Sequence, residues 1–196
     1  MNYQDKTITI MGLGIAGGAM EDALFFARQG ANVIVTDLKP EKELERSMKV
    51  LHNKHNITFH LGGHQKQDFT DVDLIIQNPG VAHHSPYLQL ARKAGVQIEM
   101  GSGIFAEDAD MSKVIGVTGT KGKSTTSALV HRVLQTKYPD VYHGGDVDGS
   151  PLKFVEQNQN GVWGVLELSS WRLEGMAPHK KSPHISVITN LSLIHI

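Results

Sequence analysis

Thr118-Gly119-Thr120-Lys121-Gly122-Lys123-Ser124-Thr125 sets an ammonium and adjacent hydroxyls behind two glycines. That chemistry suits a polyphosphate. Lys123 can reach the β- and γ-phosphates of ATP, the Ser124 hydroxyl can ligate Mg²⁺, and backbone amides can wrap the phosphates. The general G-x-x-x-x-G-K-[ST] spacing would need glycine at position 117, where Val117 stands; the nearest glycines are Gly116 and Gly119, so this is a shortened variant. A second glycine-rich run, Gly12-Leu13-Gly14-Ile15-Ala16-Gly17, fits G-x-G-x-x-G. Its glycines allow a tight turn and close approach to a phosphate at a helix N-terminus. Asp37 lies 20 residues beyond Gly17, where an acidic side chain commonly meets a ribose hydroxyl. A third candidate, Glu167, ends the apolar run Val165-Leu166. There it is either a second metal ligand facing the phosphate loop or an exposed strand-end carboxylate, and spacing leaves both open.

These groups need strands that end where the glycine turns begin. Strand-like and helix-like segments alternate along the chain, which predicts an α/β fold with mainly parallel strands. Strands are expected at Thr7 to Met11, Asn32 to Thr36, Ile57 to Leu61, Leu74 to Gln77 and Val96 to Glu99, with helices at Ala19 to Arg28, Glu41 to His52 and Pro86 to Ala94. The polar run Glu107 to Ser112 predicts a boundary between domains 1–111 and 112–196. Beyond it, Lys113 to Val117 reads as a strand, Ser124 to Gln135 as a helix, Tyr142 to Pro151 as a Gly/Asp-rich loop, and Val162 to Leu168 and His184 to Thr189 as strands. The chain stops just after that last strand, which predicts a fragment of a longer protein.

Composition narrows the function classes. The 196 residues are 40% apolar and 20% charged with a formal net charge of -1, which gives no electrostatic case for nucleic acid or an anionic membrane. No cysteine is present, so disulfides, zinc–thiolate sites and a cysteine nucleophile are excluded. No signal peptide or spanning run is visible, and a cytoplasmic monomer is expected. His52, His55, His60 and His64 lack ligand spacing and read as solvated surface. A Rossmann dehydrogenase would explain the first glycine turn but not the second, and a non-catalytic nucleotide-binding module would not need Glu167.

Together these segments resemble the Mur ligase family of bacterial cell-wall enzymes. Residues 118–125 are similar to its ATP loop, and Glu167-Leu168-Ser169-Ser170-Trp171-Arg172-Leu173-Glu174 is similar to the E-L-S-S-[FW]-x-L-E segment of the D-glutamate-adding member. Gly12 to Gly17, Asn78-Pro79-Gly80, Gly144-Gly145 and Thr189-Asn190-Leu191 fall in the family's order.

The resemblance implies a Rossmann-like N-terminal domain that binds the UDP of UDP-N-acetylmuramoyl-L-alanine, then a P-loop-type α/β central domain, here truncated, that binds ATP and Mg²⁺. D-glutamate would be held by a C-terminal domain lying beyond residue 196. It implies that Ile15, Ala16, Asp37, Leu38 and Gly80 line the uridine nucleotide, with Gly12, Gly14, Gly17, Asp146, Ser169 and Arg172 also on the UDP-substrate side. Thr118, Gly119, Thr120, Lys121, Gly122, Lys123, Ser124 and Thr125 would serve ATP, Lys123 and Glu167 catalysis, and Ser124 and Glu167 the metal. The chain departs from the family at two linked places. Gly144-Gly145-Asp146-Val147-Asp148-Gly149 replaces Gly-Gly-Asn-Ile-Gly, putting an acid where the family has an amide, and Arg172 stands where Gln is common and could offset that charge. After Ser192, Leu193-Ile194-His195-Ile196 replaces the family's Asp-His pair, and His195 is not equated with it.

Overall fold

Branched apolar residues in short runs build two parallel sheets. A computed structural model describes residues 2–146 and 149–192. In the first sheet β1 (Thr7–Met11), β2 (Asn32–Asp37), β3 (Ile57–Leu61), β4 (Leu74–Gln77) and β5 (Gln97–Glu99) take the order β3-β2-β1-β4-β5. Every pairing is parallel, in register from Thr7 opposite Asn32 to Met11 opposite Thr36. The central strands β1 and β4 are buried almost throughout, as a sheet covered on both faces requires. Helix α1 (Gly18–Arg28) packs on β1 and β2 and buries Phe25 and Phe26, which meet Tyr3 edge to face. Met11, Phe69, Ile75, Leu88 and Ala91 close the core beneath α3 (Pro86–Ala94).

The second sheet holds β6 (Val114–Thr118), β7 (Val141–Gly145), β8 (Trp163–Glu167) and β9 (Ile185–Ile188) in the order β7-β8-β6-β9, again all parallel. Ile115, Val117 and Val165 form its core, with Val130 and Leu134 of α5 (Lys123–Gln135) against them. The chain forms two compact units, Met1–Gly101 and Ser102 onward. Residues 102–111 fall on the second unit's side of that division. The parallel α/β architecture expected from the sequence is the one observed.

Three local expectations change. The helix expected from Glu41 to His52 is a 3₁₀ turn, Glu41–Glu43, followed by α2 (Glu45–Leu51). The break is at Leu44, which is buried with φ -110° and so leaves the helical path to reach the core. The stretch before Glu107 is a helix, α4 (Gly101–Asp108), whose Ile104, Phe105 and Ala106 are fully buried. Residues 142–145, read as loop, belong to β7, because pairing with β8 outweighs the weak strand preference of Gly144-Gly145. The readings placed on residues 147, 148 and 193–196 lie outside the described residues. Among the described residues no helix is long and apolar enough to cross a membrane.

Candidate functional site

In the second unit the chemistry gathers at the carboxyl ends of the parallel strands. β6 ends at Thr118, and residues 119–122 carry the chain into α5. The first bond inside α5 runs from Thr126 N–H to the Gly122 carbonyl, which leaves the amides of Lys123, Ser124 and Thr125 unused by the helix. These donors and the positive end of the helix dipole form an anion-binding terminus. Gly119 has φ +138° and packs directly on Thr189 and Asn190, so no side chain fits there.

Glu167, the last residue of β8, sits in register between Val117 and Gly145. Its backbone is fixed from one side by Asp146 N–H, which donates to the Glu167 carbonyl at 3.0 Å. Its carboxylate is buried, with Oε1 4.0 Å from Lys123 Nζ. Its other oxygen, Oε2, is buried without a hydrogen-bond partner. A desolvated carboxylate oxygen of this kind costs free energy until a cation or donor meets it. Lys123 Nζ meanwhile donates to the Gly119 carbonyl at 2.9 Å, so its charge caps the loop it stems from. A helix N-terminus, an ammonium and an orphaned carboxylate could together hold an anion carrying a divalent cation. The hard oxygen donors of Ser124 and Glu167 match Mg²⁺.

The first unit has a cleft of about 580 Å³ at the carboxyl ends of β1, β2 and β4. Sheet order reverses between β1 and β4, the place where open α/β sheets bind ligands. Gly12, Gly14, Asp37, Leu38 and Gly80 line it, as do Asn78, His64 and Tyr87. Each carboxylate oxygen of Asp37 carries one backbone hydrogen bond, which leaves further acceptor capacity on both. Oδ2 accepts from Gly14 N–H at 2.9 Å and Oδ1 from Lys39 N–H at 2.8 Å, so it splints the glycine turn to the end of β2. Ile15, Ala16 and Gly17 are not among the lining residues, and Ile15 is 69% exposed.

The sequence reading missed His64. Far from being solvated surface, it lines the cleft, with Nδ1 2.7 Å from the Thr36 hydroxyl and its ring edge-on to Phe69 and Tyr87. Burial pushes its imidazole below the usual histidine range, and Asp37 and Asp68 pull in the opposite direction. His60 is likewise engaged, with Nδ1 2.9 Å from Asp68. Only their position in the fold distinguishes these two histidines from the exposed His52 and His55.

Two family models cover most of the chain. "Mur ligase MurD-like, N-terminal domain" matches residues 6–100 and "Mur ligase middle domain" matches residues 117–196. The chain belongs to the Mur ligase family. Among curated relatives, the UDP-N-acetylmuramoylalanine--D-glutamate ligase of Borreliella burgdorferi (strain ZS7) is 39% identical over 93% of this chain and 39% of the relative. The ligase of the same name from Roseiflexus sp. (strain RS-1) is 39% identical over 100% of this chain and 42% of the relative. This Mur ligase chain thus spans about two fifths of the length of the relatives it matches. The crystal structure of UDP-N-acetylmuramate:L-alanyl-gamma-D-glutamyl-meso-diaminopimelate ligase from Neisseria meningitides shares the fold. Its TM-score is 0.63 at 18% identity, over 97% of this chain and 62% of that one.

Within this Mur ligase the two departures from the family pattern meet each other. Arg172, near the start of the helix Ser170–Met176, is buried, and its Nε donates to Asp146 Oδ1 at 3.2 Å. Its NH2 group donates to the Gly149 carbonyl, so the guanidinium holds both Asp146 and Gly149. Asp146 and Arg172, together with Ser169, therefore stand in the second unit beside Glu167.

Proposed function

We propose that this chain is the nucleotide-handling part of an ATP-dependent cytoplasmic ligase that adds D-glutamate to UDP-N-acetylmuramoyl-L-alanine in peptidoglycan precursor synthesis. The observation that carries the reading is the buried Glu167 carboxylate, whose Oε1 lies 4.0 Å from Lys123 Nζ at the end of the glycine loop and whose Oε2 has no hydrogen-bond partner. The names of the relatives support the substrate pair.

The chemistry has two balanced steps. A carboxylate oxygen of the substrate attacks the γ-phosphorus of ATP, the bond to the β-phosphate oxygen breaks, and ADP leaves, giving an acyl phosphate. The amine of D-glutamate then attacks the acyl carbon, loses a proton, and inorganic phosphate departs with the C–O bond pair, leaving the amide. The barrier in the first step is the approach of two anions. Lys123 and the amides at the start of α5 lower it by neutralising charge on the transferring group. Mg²⁺, which Ser124 and Glu167 would hold, supplies further charge neutralisation. The first unit's cleft would take the uridine nucleotide of the substrate, with Leu38 and Gly80 at its rim.

Ligand selectivity tests this assignment. UDP or UDP-N-acetylmuramoyl-L-alanine at about a hundred times its dissociation constant should raise the first unit's thermal midpoint by about 5 °C or more. NAD should not. Stabilisation by NAD alone would return the first unit to the dehydrogenase reading.

A further inference from the structure

Apart from the bond of Lys123 Nζ to the Gly119 carbonyl, the phosphate loop is tied to a segment about 70 residues later, immediately after β9. The Asn190 side chain pairs with both backbone groups of Lys121: Lys121 N–H donates to Asn190 Oδ1 at 3.1 Å, and Asn190 Nδ2 donates to the Lys121 carbonyl at 3.1 Å. The Thr189 hydroxyl lies 2.6 Å from that same carbonyl and 3.2 Å from the Thr118 carbonyl, so its single hydrogen favours Lys121. Thr120 N–H donates to the Asn190 carbonyl at 3.0 Å.

Peptide planarity turns this anchoring into a statement about the mouth of the loop. The carbonyl of Lys121 and the N–H of Gly122 belong to one trans peptide and point in opposite directions. Tying the carbonyl back to Thr189 and Asn190 aims the Gly122 N–H the other way. The Gly119–Thr120 peptide, two earlier, follows the same logic: Thr120 N–H faces Asn190, so the Gly119 carbonyl faces away, and there Lys123 Nζ meets it at 2.9 Å. Gly122 has φ +83°, and glycine tolerates either orientation of the peptide before it. The loop's own residues therefore do not dictate whether an N–H or a carbonyl faces an incoming phosphate.

We propose that Thr189 and Asn190 are positioning residues for the phosphate site: they lock the Lys121–Gly122 peptide with its N–H toward the ligand. The inference rests on the reading of this loop as the ATP site. Without the lock, the flipped peptide would present a carbonyl to the phosphates, and repulsion would replace a hydrogen bond.

The test combines Mg·ATP calorimetry with amide exchange of residues 119–125 in the ligand-free chain, on Thr189→Val, Thr189→Ser and Asn190→Ala. Thr189→Val and Asn190→Ala should speed exchange at Lys121 and weaken Mg·ATP by about tenfold or more, since each removes one or two hydrogen bonds that orient a charged ligand's donor. Thr189→Ser keeps the hydroxyl and should bind within about threefold of the parent, which a packing role for the threonine methyl would not allow. Amide exchange of β7 and β8, in the same unit but away from the loop, serves as the folding control and should stay unchanged in all three. Parent-like Mg·ATP affinity in Thr189→Val and Asn190→Ala, with Lys123→Ala still defective, would overturn the inference alone. Absence of Mg·ATP binding in the parent chain would overturn the ATP reading together with it.

Discussion

Lys123→Ala should weaken Mg·ATP binding by at least about a hundredfold, because it deletes a charge-assisted contact in a partly desolvated site. Lys123 is the first residue of α5, is largely buried, and stands 4.0 Å from Glu167. Removing it takes away the cation that faces the phosphates and leaves the Glu167 carboxylate without its nearest positive partner. The variant's ligand-free fold should persist, because Lys123 contacts the Gly119 carbonyl and the Glu167 carboxylate and is not part of the core cluster formed by Ile115, Val117 and Val165. Isothermal titration with Mg·ATP measures the loss directly. Unchanged affinity would mean that the triphosphate lies elsewhere.

Arg172 and Asp146 should behave as one unit in a double-mutant cycle. Arg172→Gln alone removes the partner of a part-buried carboxylate, whose side chain is 26% exposed against 10% for the arginine. Breaking such a pair is expected to cost about 2 kcal/mol, equivalent to about 4–8 °C in the midpoint of a chain this size. Asp146→Asn alone should cost about half as much, because the guanidinium keeps its bond to the Gly149 carbonyl. The double variant, which restores the amide pair common in the family, should recover to within about 1 kcal/mol of the parent. Thermal melts of the four proteins give the coupling. Simple additivity of the two single losses would show that these departures are independent of each other.

Most strands of both sheets were legible because branched residues ran between glycine or proline stops: Thr7 to Met11, Leu74 to Gln77 and Val165 to Glu167 all read directly. Helix α4 was not, since it opens on Gly101-Ser102-Gly103, and only burial of Ile104 and Phe105 reveals what pays for ordering it. β7 was hidden by Gly144-Gly145, whose role emerges only against β8. Within the site, the compensation between Asp146 and Arg172 could be guessed from charge alone, and their hydrogen bond realises it. Spacing placed Asp37 in the cleft twenty residues after the glycine turn, but its bonds to the Gly14 and Lys39 amides, which splint that turn, emerge only in the fold. Thr189 and Asn190 were legible only as a segment in the family's order; their role was not, because their partners are the Lys121 and Thr118 backbone groups some 70 residues away.

The account depends on Lys123 and Glu167 facing one metal-bound triphosphate. Electron paramagnetic resonance titration of Mn²⁺, in the presence of a non-hydrolysable ATP analogue, reads that geometry with an ion that takes the same oxygen ligands as Mg²⁺. Glu167→Gln keeps the side chain's shape and deletes its charge. Mn²⁺ affinity should fall by about tenfold or more in this variant, while the ligand-free melting midpoint does not drop, since a buried unpartnered oxygen is replaced by a neutral group. Mn²⁺ binding as tight in Glu167→Gln as in the parent would contradict the site.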